Sequence, residues 1–266
     1  MRLPAILPLL FTLTALIISI LCVFAGSKRG YLENADIVTL NTSMVGRAAV
    51  TPSSSSSSSL LGALENDLKG GINKLAGDIA QALDLHDFYS WHILDYCEGY
   101  YTPSPITNAT SDPAKNVTHC SNQTTFFRFD PTAVLQSELK TGINLTELKW
   151  PQAIEDAVQA VGVATNAMFV LYCIGVATAG VAVLGSVMGL LAGGRFSALV
   201  NLMLAMLGFL ALAIASAIVT VIMCKVTNAV NDHGKDVGVA AYKGTRLLGM
   251  TWAATILMLL AAFAWV

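Results

Sequence analysis

The chain has 266 residues, of which 55% are hydrophobic and only 12% are charged. Ordinary soluble domains carry roughly 25% charged residues, so this composition excludes a typical soluble globule. The net charge of −2 hides an uneven distribution of charge along the chain. Residues 26–165 hold nine Lys/Arg and fifteen Asp/Glu, whereas the remainder holds six Lys/Arg and two Asp/Glu. Such a mild acidic excess also argues against nucleic-acid binding, which uses clustered Lys and Arg.

Three uncharged stretches predict transmembrane helices at residues 5–25, 199–223 and 247–266. Each reaches the ~20 residues that cover the hydrocarbon core of a bilayer. The first stretch also resembles a signal peptide with a small-residue cleavage site before Gly26. Its 21 apolar residues exceed the ~7–15 of a signal-peptide core, which favours a retained span.

A fourth span is predicted within the 38 residues between Asp156 and Arg195, none of which is charged. As one helix they would extend ~57 Å, about twice what a bilayer core requires. The membrane part is therefore assigned to residues 168–191, in a helix that begins outside after Pro151. A cytosolic turn at 192–198 would connect it to the next span.

The large segment between the first two spans is predicted to be extracellular. It contains five N-x-S/T sequons, at Asn41, Asn108, Asn116, Asn122 and Asn144. Cys97 and Cys120 in the same segment also fit an oxidising compartment. The positive-inside rule favours the opposite orientation, because only Arg2 and Arg195 flank the proposed cytosolic ends while six basic residues flank the outer ones. We expect the orientation that the sequons indicate, with the large segment outside the cell. In this orientation residues 224–246 form a second extracellular loop.

Composition divides this large segment into two parts. Residues 26–59 are polar and end in the seven serines 53–59, a pattern typical of a flexible segment. Residues 60–165 are expected to form a folded extracellular cap. Its first element is an amphipathic helix packed on the rest of the cap, predicted by the stripe Leu61, Leu64, Leu68, Ile72, Leu75, Ile79 and Leu83.

Residues 88–101 and 117–129 are aromatic and β-branched, and each stretch contains one cysteine. They predict a pair of short strands joined by a Cys97–Cys120 disulfide, with free thiols as the alternative. Such a bridge would stabilise the cap by ~3 kcal/mol on the chain-entropy model. The predicted fold class is an all-α membrane protein, a four-helix transmembrane bundle with a small disulfide-stapled α+β extracellular cap.

The sequence predicts neither catalysis nor cofactor binding. Zinc-protease, serine-hydrolase, nucleotide-binding and CxxC motifs are all missing, so we expect no enzyme, no metal and no small-molecule substrate. His92 and His119 lie near the two cysteines, and a pH-responsive pair or zinc site is the alternative to ordinary exposed histidines. The uncharged spans argue against an ion carrier.

The second span carries a face of small residues at Gly185, Gly189 and Gly193 that allows another helix to approach closely. The partner is either a neighbouring span or a second protein in the plane of the membrane. We therefore expect membrane lipids and lateral protein partners, or self-association, as the interactions of this chain.

A set of residues in the large segment carries a family resemblance. The set comprises Trp91, Tyr96, Cys97, Gly99, Cys120, Phe127, Phe129, Asp130 and Pro131. Together with the order of the four spans, it resembles fungal four-span proteins of the Sur-seven/PalI type. These proteins are associated with cortical membrane furrows called eisosomes and are distantly similar to claudins.

The resemblance implies a multi-pass plasma-membrane protein with its large loop outside the cell. Its implied role is to organise a lateral membrane domain, with effects on endocytosis, the cell wall or sporulation. One alternative is a PalI-type component of ambient-pH signalling, although such members typically bear long cytosolic tails that the sequence as given lacks. Another is a claudin-like adhesion or pore protein, but the G-L-W element of claudins is missing here.

Overall fold

The computed structural model describes residues 5–45, 85–102, 114–138, 150–192 and 194–266. Four helices in these ranges are long and apolar enough to cross a membrane. In chain order the helices are α1 (Ile6–Val23), the short α2 (Pro131–Glu138), α3 (Gln152–Ala192), α4 (Arg195–His233) and α5 (Thr245–Ala264). The serine run 53–59, the stripe from Leu61 to Leu83, Asn108, Asn144 and Gly193 lie outside the described residues.

The four long helices form a bundle in which α1 and α4 each pack against both α3 and α5. Their contact faces are rich in alanine, with Ala15, Ala179, Ala205, Ala215 and Ala261 all fully buried. Small side chains allow helices in a membrane to approach closely and gain van der Waals contact. The outer faces expose large apolar side chains, including Leu7, Leu10, Leu184, Leu207 and Ile214. A lipid environment suits such a surface, whereas water would not.

Hydroxyl groups link three helices inside the bundle. The Tyr172 hydroxyl of α3 lies 2.5 Å from Thr251 Oγ1 of α5. Ser216 Oγ of α4 lies 2.6 Å from Thr251 Oγ1 and 3.0 Å from Thr255 Oγ1. All four groups are buried. Because a buried hydroxyl without a partner is costly, these contacts select one arrangement of the helices.

The predicted glycine face packs within the chain. Asn201 Nδ2 on α4 donates to the Gly185 carbonyl oxygen at 3.1 Å and to the Ser197 carbonyl oxygen at 2.9 Å. A Cβ at Gly185 would lie 2.3 Å from Asn201 Oδ1. At Gly189, a Cβ would lie 3.1 Å from Trp265 and 3.2 Å from Ser197 Oγ. Both glycines thus allow close approach of α4 and the end of α5.

The helices extend beyond the stretches assigned from apolar length. Helix α3 begins at Gln152, and α4 continues to His233. The turn expected at 192–198 is shorter, since α3 ends at Ala192 and α4 begins at Arg195. Bilayer thickness limits only the apolar part of a helix, so it could not define where these helices end.

The described part of the cap contains a five-stranded antiparallel sheet. Its strands are β1 (Val38–Asn41), β2 (Phe88–Trp91), β3 (Tyr96–Thr102), β4 (Ala114–Cys120) and β5 (Ala240–Lys243). Their spatial order is β4-β3-β2-β1-β5. Strand β5 comes from the connection between α4 and α5, so the sheet is assembled from two distant parts of the chain.

One prediction about the cap was wrong, and two others were less detailed than the structure. Residues 26–59 are not flexible throughout, because β1 lies between β2 and β5 in the sheet. Residues 224–246, predicted as a loop, connect α4 to α5 but contain the last turns of α4 and strand β5. The predicted pairing of the two cysteine-containing stretches is confirmed, because β3 pairs with β4 and the disulfide joins them. The first stretch additionally contributes β2, so it folds into the hairpin β2–β3, and the strand of the second stretch ends at Cys120.

These differences from the sequence-based expectations have one physical cause. Tertiary contacts, and not local composition, decided the structure of these segments. The turn of the β2–β3 hairpin carries Ile93 and Leu94, which are buried, and it lacks the Gly, Pro and Asn that signal turns. Strand β1 has only four residues and gains its hydrogen bonds from partners on both sides. Neither feature is visible in local composition.

A substitution at Gly244 tests how closely the β5 segment packs against the β1 segment. Its N–H donates to the Ile37 carbonyl oxygen at 3.0 Å, and a Cβ would lie 1.5 Å from the Asp36 carbonyl oxygen. We expect Gly244→Ala to destabilise the protein by about 3 kcal/mol and to lower its apparent melting temperature by about 8 °C, measured in detergent by intrinsic fluorescence. The matched control is Gly249→Ala on α5, where a Cβ meets nothing within 4 Å. Equal melting temperatures for the two variants would contradict the docking.

Candidate functional site

The two faces of the cap sheet have different environments, because successive side chains along a strand point to opposite sides. The inner face, formed by Val38, Leu40, Tyr89, Trp91 and Ala241, belongs to the same hydrophobic core as the helices. The outer face holds a second, smaller cluster of Phe88, Cys97, Tyr101 and Val117. The cap is therefore packed onto the bundle through its inner face.

Aromatic residues of the sequence motif meet at the inner face. Trp91 stacks on Phe129 with ring centroids 5.9 Å apart, and Tyr96 stacks on Phe127 at 6.2 Å. Tyr96 and Phe129 are also in tilted contact at 5.8 Å. Trp91 is only 1% exposed. Aromatic pairs of this kind add to the stabilisation from burial alone, so the segment after β4 is held firmly against the sheet.

Asp130 and Pro131 of the motif start helix α2. The Asp130 side chain accepts a hydrogen bond from the Ala133 N–H at 3.0 Å, and its carbonyl oxygen accepts one from the Val134 N–H at 3.0 Å. Asp is a preferred N-cap residue, and Pro suits the first helical position because its missing N–H would be unpaired there. Leu135 anchors the helix and is 1% exposed.

Cys97 and Cys120 form a disulfide between β3 and β4, as predicted. Next to the disulfide, the register of the two strands shifts between Glu98 and Gly99. A Cβ at Gly99 would lie 2.1 Å from the Asn116 carbonyl oxygen. The C-x-G part of the motif thus combines a covalent link with the one residue that fits beside this carbonyl oxygen.

A cluster of carboxyl groups and histidines lies where α2 meets the sheet. We call His86, Tyr89, Glu98, His119 and Glu138 the carboxylate cluster. His86 Nδ1 lies 3.1 Å from Glu138 Oε2, and the Tyr89 hydroxyl donates to the same oxygen. On the other side, His119 Nδ1 lies 3.0 Å from Glu98 Oε1. The two glutamates are thus each held by a histidine.

The two carboxyl groups of the cluster have opposite pKa shifts. Burial, and then the neighbouring Glu138 carboxylate, raise the pKa of Glu98 to about 7. Burial also acts to raise the pKa of Glu138, but hydrogen bonds from His86, Glu98 and Tyr89 outweigh it and hold that pKa below its ordinary value. Without a bound cation, Glu98 is therefore the protonated partner of an ionised Glu138 near neutral pH.

A separate charged network lies on the outer face. Lys115 Nζ on β4 donates to Ser90 Oγ at 3.1 Å and to Thr39 Oγ1, and lies 3.4 Å from Asp36 Oδ1. It also lies 5.6 Å from the centre of the Phe88 ring. The lysine on β4 therefore reaches groups on β2, on β1 and in the segment before β1, where its charge is paired.

His92 is buried, contrary to the expectation of exposed histidines. Its Nδ1–H donates to the Ala35 carbonyl oxygen at 3.1 Å, and burial lowers its pKa to about 4. Potential ligand atoms of His92, Asp95 and Cys97 lie within 4.8 Å of one another. Because the Cys97 sulfur is in the disulfide, this group offers only two ligands and does not form the zinc site considered from the sequence.

The structure describes three of the five sequons. Asn116 and Asn122 are exposed. Asn41 is half-buried, and its Oδ1 accepts hydrogen bonds from the Ser43 N–H at 3.0 Å and the Ser43 hydroxyl at 2.7 Å. Access therefore favours modification of the first two.

The sequence also matches the model of a known protein family. The model of the SUR7/PalI family matches residues 4–264. The chain belongs to the SUR7/PalI family. No individual curated protein and no solved structure matches it. In this SUR7/PalI protein, the motif residues recognised in the sequence form the aromatic cluster, the start of α2 and the bridged β3–β4 pair.

Sequence reasoning missed several residues of the SUR7/PalI cap. Glu138 lies 40 residues from Glu98 in the chain, and His86 precedes the motif, so no spacing pattern linked them. Nothing in the sequence distinguished Lys115 from a solvent-exposed lysine. Only the antiparallel register and the position of α2 brought these groups to their partners.

The buried carboxyl group of Asp95 should make the stability of this SUR7/PalI protein depend on pH. It is fully buried in the β2–β3 turn, and burial raises its pKa to about 7, partly offset by the Gln123 side chain. Since the pKa in the unfolded chain is ~3.9, the folded state binds the proton more tightly. The resulting stabilisation is complete below about pH 4 and is lost as the pH rises to about 7.

We therefore expect the free energy of unfolding of wild type to fall by about 2 kcal/mol, relative to that of Asp95→Asn, between pH 5 and pH 8. The measurement is the difference between their melting temperatures at each pH, in which the titration of other groups cancels. A difference that stays constant over this range would show that Asp95 does not titrate there.

Proposed function

We propose that this protein is a non-catalytic organiser of a lateral domain in the plasma membrane of a fungus, of the eisosome or cortical-patch type. Its activity would affect endocytosis, the cell wall or sporulation, without a cofactor or small-molecule substrate. The observation that carries the proposal is the family match over nearly the whole chain. The proposed orientation places the cap outside the cell.

The geometry supports such a role through the connection between cap and bundle. The inner face of the sheet and the helices share one hydrophobic core, so cap and bundle form a single body. The outer faces of the helices expose large apolar side chains that lipids or lateral protein partners would cover. A body of this kind can pack repeatedly in the plane of a membrane while presenting the same outer surface.

The main alternative is a PalI-type component of ambient-pH signalling, because the matched family includes both the SUR7 and the PalI branch. A claudin-like pore is less well supported. Among the described residues of the four long helices, no charged side chain is buried in the bundle, whereas ion pathways usually require such groups.

Live-cell imaging tests the organiser proposal. A fluorescently tagged copy, expressed at its native level in a fungal host beside an eisosome marker, should form static cortical patches that coincide with the marker. A diffuse or internal signal would contradict the proposal. A deletion strain that loses its growth response to alkaline medium but keeps normal patches would favour the PalI-type alternative.

Glycosidase digestion tests the orientation. Because Asn116 and Asn122 are exposed, we expect both to be glycosylated and the protein to shift in electrophoretic mobility after N-glycosidase treatment. Replacing both by Gln should reduce the shift, and replacing all five sequon asparagines should abolish it. A matched variant with a new sequon between α3 and α4 should gain no glycan. Modification of that sequon alone would reverse the orientation.

A further inference from the structure

Three elements bring metal-ligating side chains together in the cap. His86 precedes β2, Glu98 lies on β3 and Glu138 ends α2. One potential ligand atom from each lies within 4.8 Å of the other two. The distance between His86 Nδ1 and Glu138 Oε2 is 3.1 Å. In a tetrahedral zinc site with bonds of ~2.0 Å, adjacent ligand atoms are about 3.3 Å apart, so this pair already has a suitable spacing.

Glu98 provides an independent indication of a ligand. This residue is only 7% exposed, and its Oε2 is buried without a hydrogen-bond donor among the described residues. Its neighbour is the Glu138 carboxylate, a second acceptor. A buried acceptor that faces another acceptor requires a positive charge between the two, either a proton or a metal cation.

We propose that His86, Glu98 and Glu138 bind one divalent transition-metal ion, for which Zn²⁺ is the best match. Two carboxylates and a neutral imidazole balance the charge of a divalent ion. Imidazole and carboxylate are both established zinc ligands. Calcium fits less well, because it takes six to eight oxygen ligands and this group offers a nitrogen and few oxygens.

The residues around the three ligands resemble the second shell of a metal site. His119 holds the other oxygen of Glu98, and Tyr89 donates to Glu138. Such partners fix the orientation of the ligating groups. The side chains of His86 and Glu138 are 20% and 17% exposed, which leaves a path for an ion and room for a water molecule or an external fourth ligand. The site is independent of the role in membrane organisation proposed above.

The test uses the full chain, purified in detergent through a tag without histidine and treated with EDTA. Equilibrium dialysis against Zn²⁺ with elemental analysis should find about one bound ion per chain. Glu98→Gln and Glu138→Gln remove one carboxylate charge each with little change of shape, and each should weaken binding at least about tenfold. Glu155→Gln is the matched control, because the Glu155 carboxylate on α3 accepts hydrogen bonds from Gln152 and Gln159, and this variant should bind Zn²⁺ as wild type does.

X-ray absorption at the zinc edge of the wild-type protein provides a test that does not depend on the folding of variants. It should show only nitrogen and oxygen ligands at about 2.0–2.1 Å, with the signature of one imidazole. The absence of stoichiometric zinc would overturn the proposal and leave a shared proton between the glutamates. Sulfur ligands would also overturn it, as would unchanged affinity in folded Glu98→Gln and Glu138→Gln variants.

Discussion

The pairing of β1 with β5 is the interaction on which the rest of this structure depends. Val38–Asn41 follows the first long helix, whereas Ala240–Lys243 connects the last two, so their main-chain hydrogen bonds tie the cap to the bundle at a second point. The free edge of β5 is covered as well. Asn231 on α4 donates to the Ala241 carbonyl oxygen at 3.0 Å and accepts from the Ala241 N–H at 2.8 Å. The main-chain groups of β5 are thereby bonded on both sides of the strand, which removes the cost of leaving them unpaired.

This attachment explains the unusual length of the second and third long helices. Helices α3 and α4 have 41 and 39 residues, about 60 Å each, whereas a bilayer core is ~30 Å thick. Their additional turns support the cap from below, since Ile154 on α3 and Val226 and Val230 on α4 belong to the same core as the inner face of the sheet. The proposed role as a lateral organiser would use such a connection, because it keeps the contacts of the helices and those of the cap in a constant relation.

The cap combines the hydrophobic core that it shares with the helices with several buried polar groups. Lys115 is paired with Asp36 on the outer face, and the carboxylate cluster occupies the region between α2 and the inner face. The disulfide lies next to the register shift at Gly99. Buried polar groups with specific partners at the edge of a hydrophobic core make this cap a suitable place for an ion or proton site.

The sequence by itself determined the features that depend on composition and local pattern. Bilayer thickness makes an uncharged run of ~20 residues informative, so four membrane-spanning helices were predictable. The pairing of the two cysteines of the cap also follows from local chemistry. Tertiary structure decided which distant segments meet. Local composition could not place the four-residue strands β1 and β5 in one sheet, because their stability comes from partners about 200 residues away in the chain. It could not bring Glu138 to Glu98 either, because that contact depends on the strand register and on the docking of α2, which exist only in the folded protein.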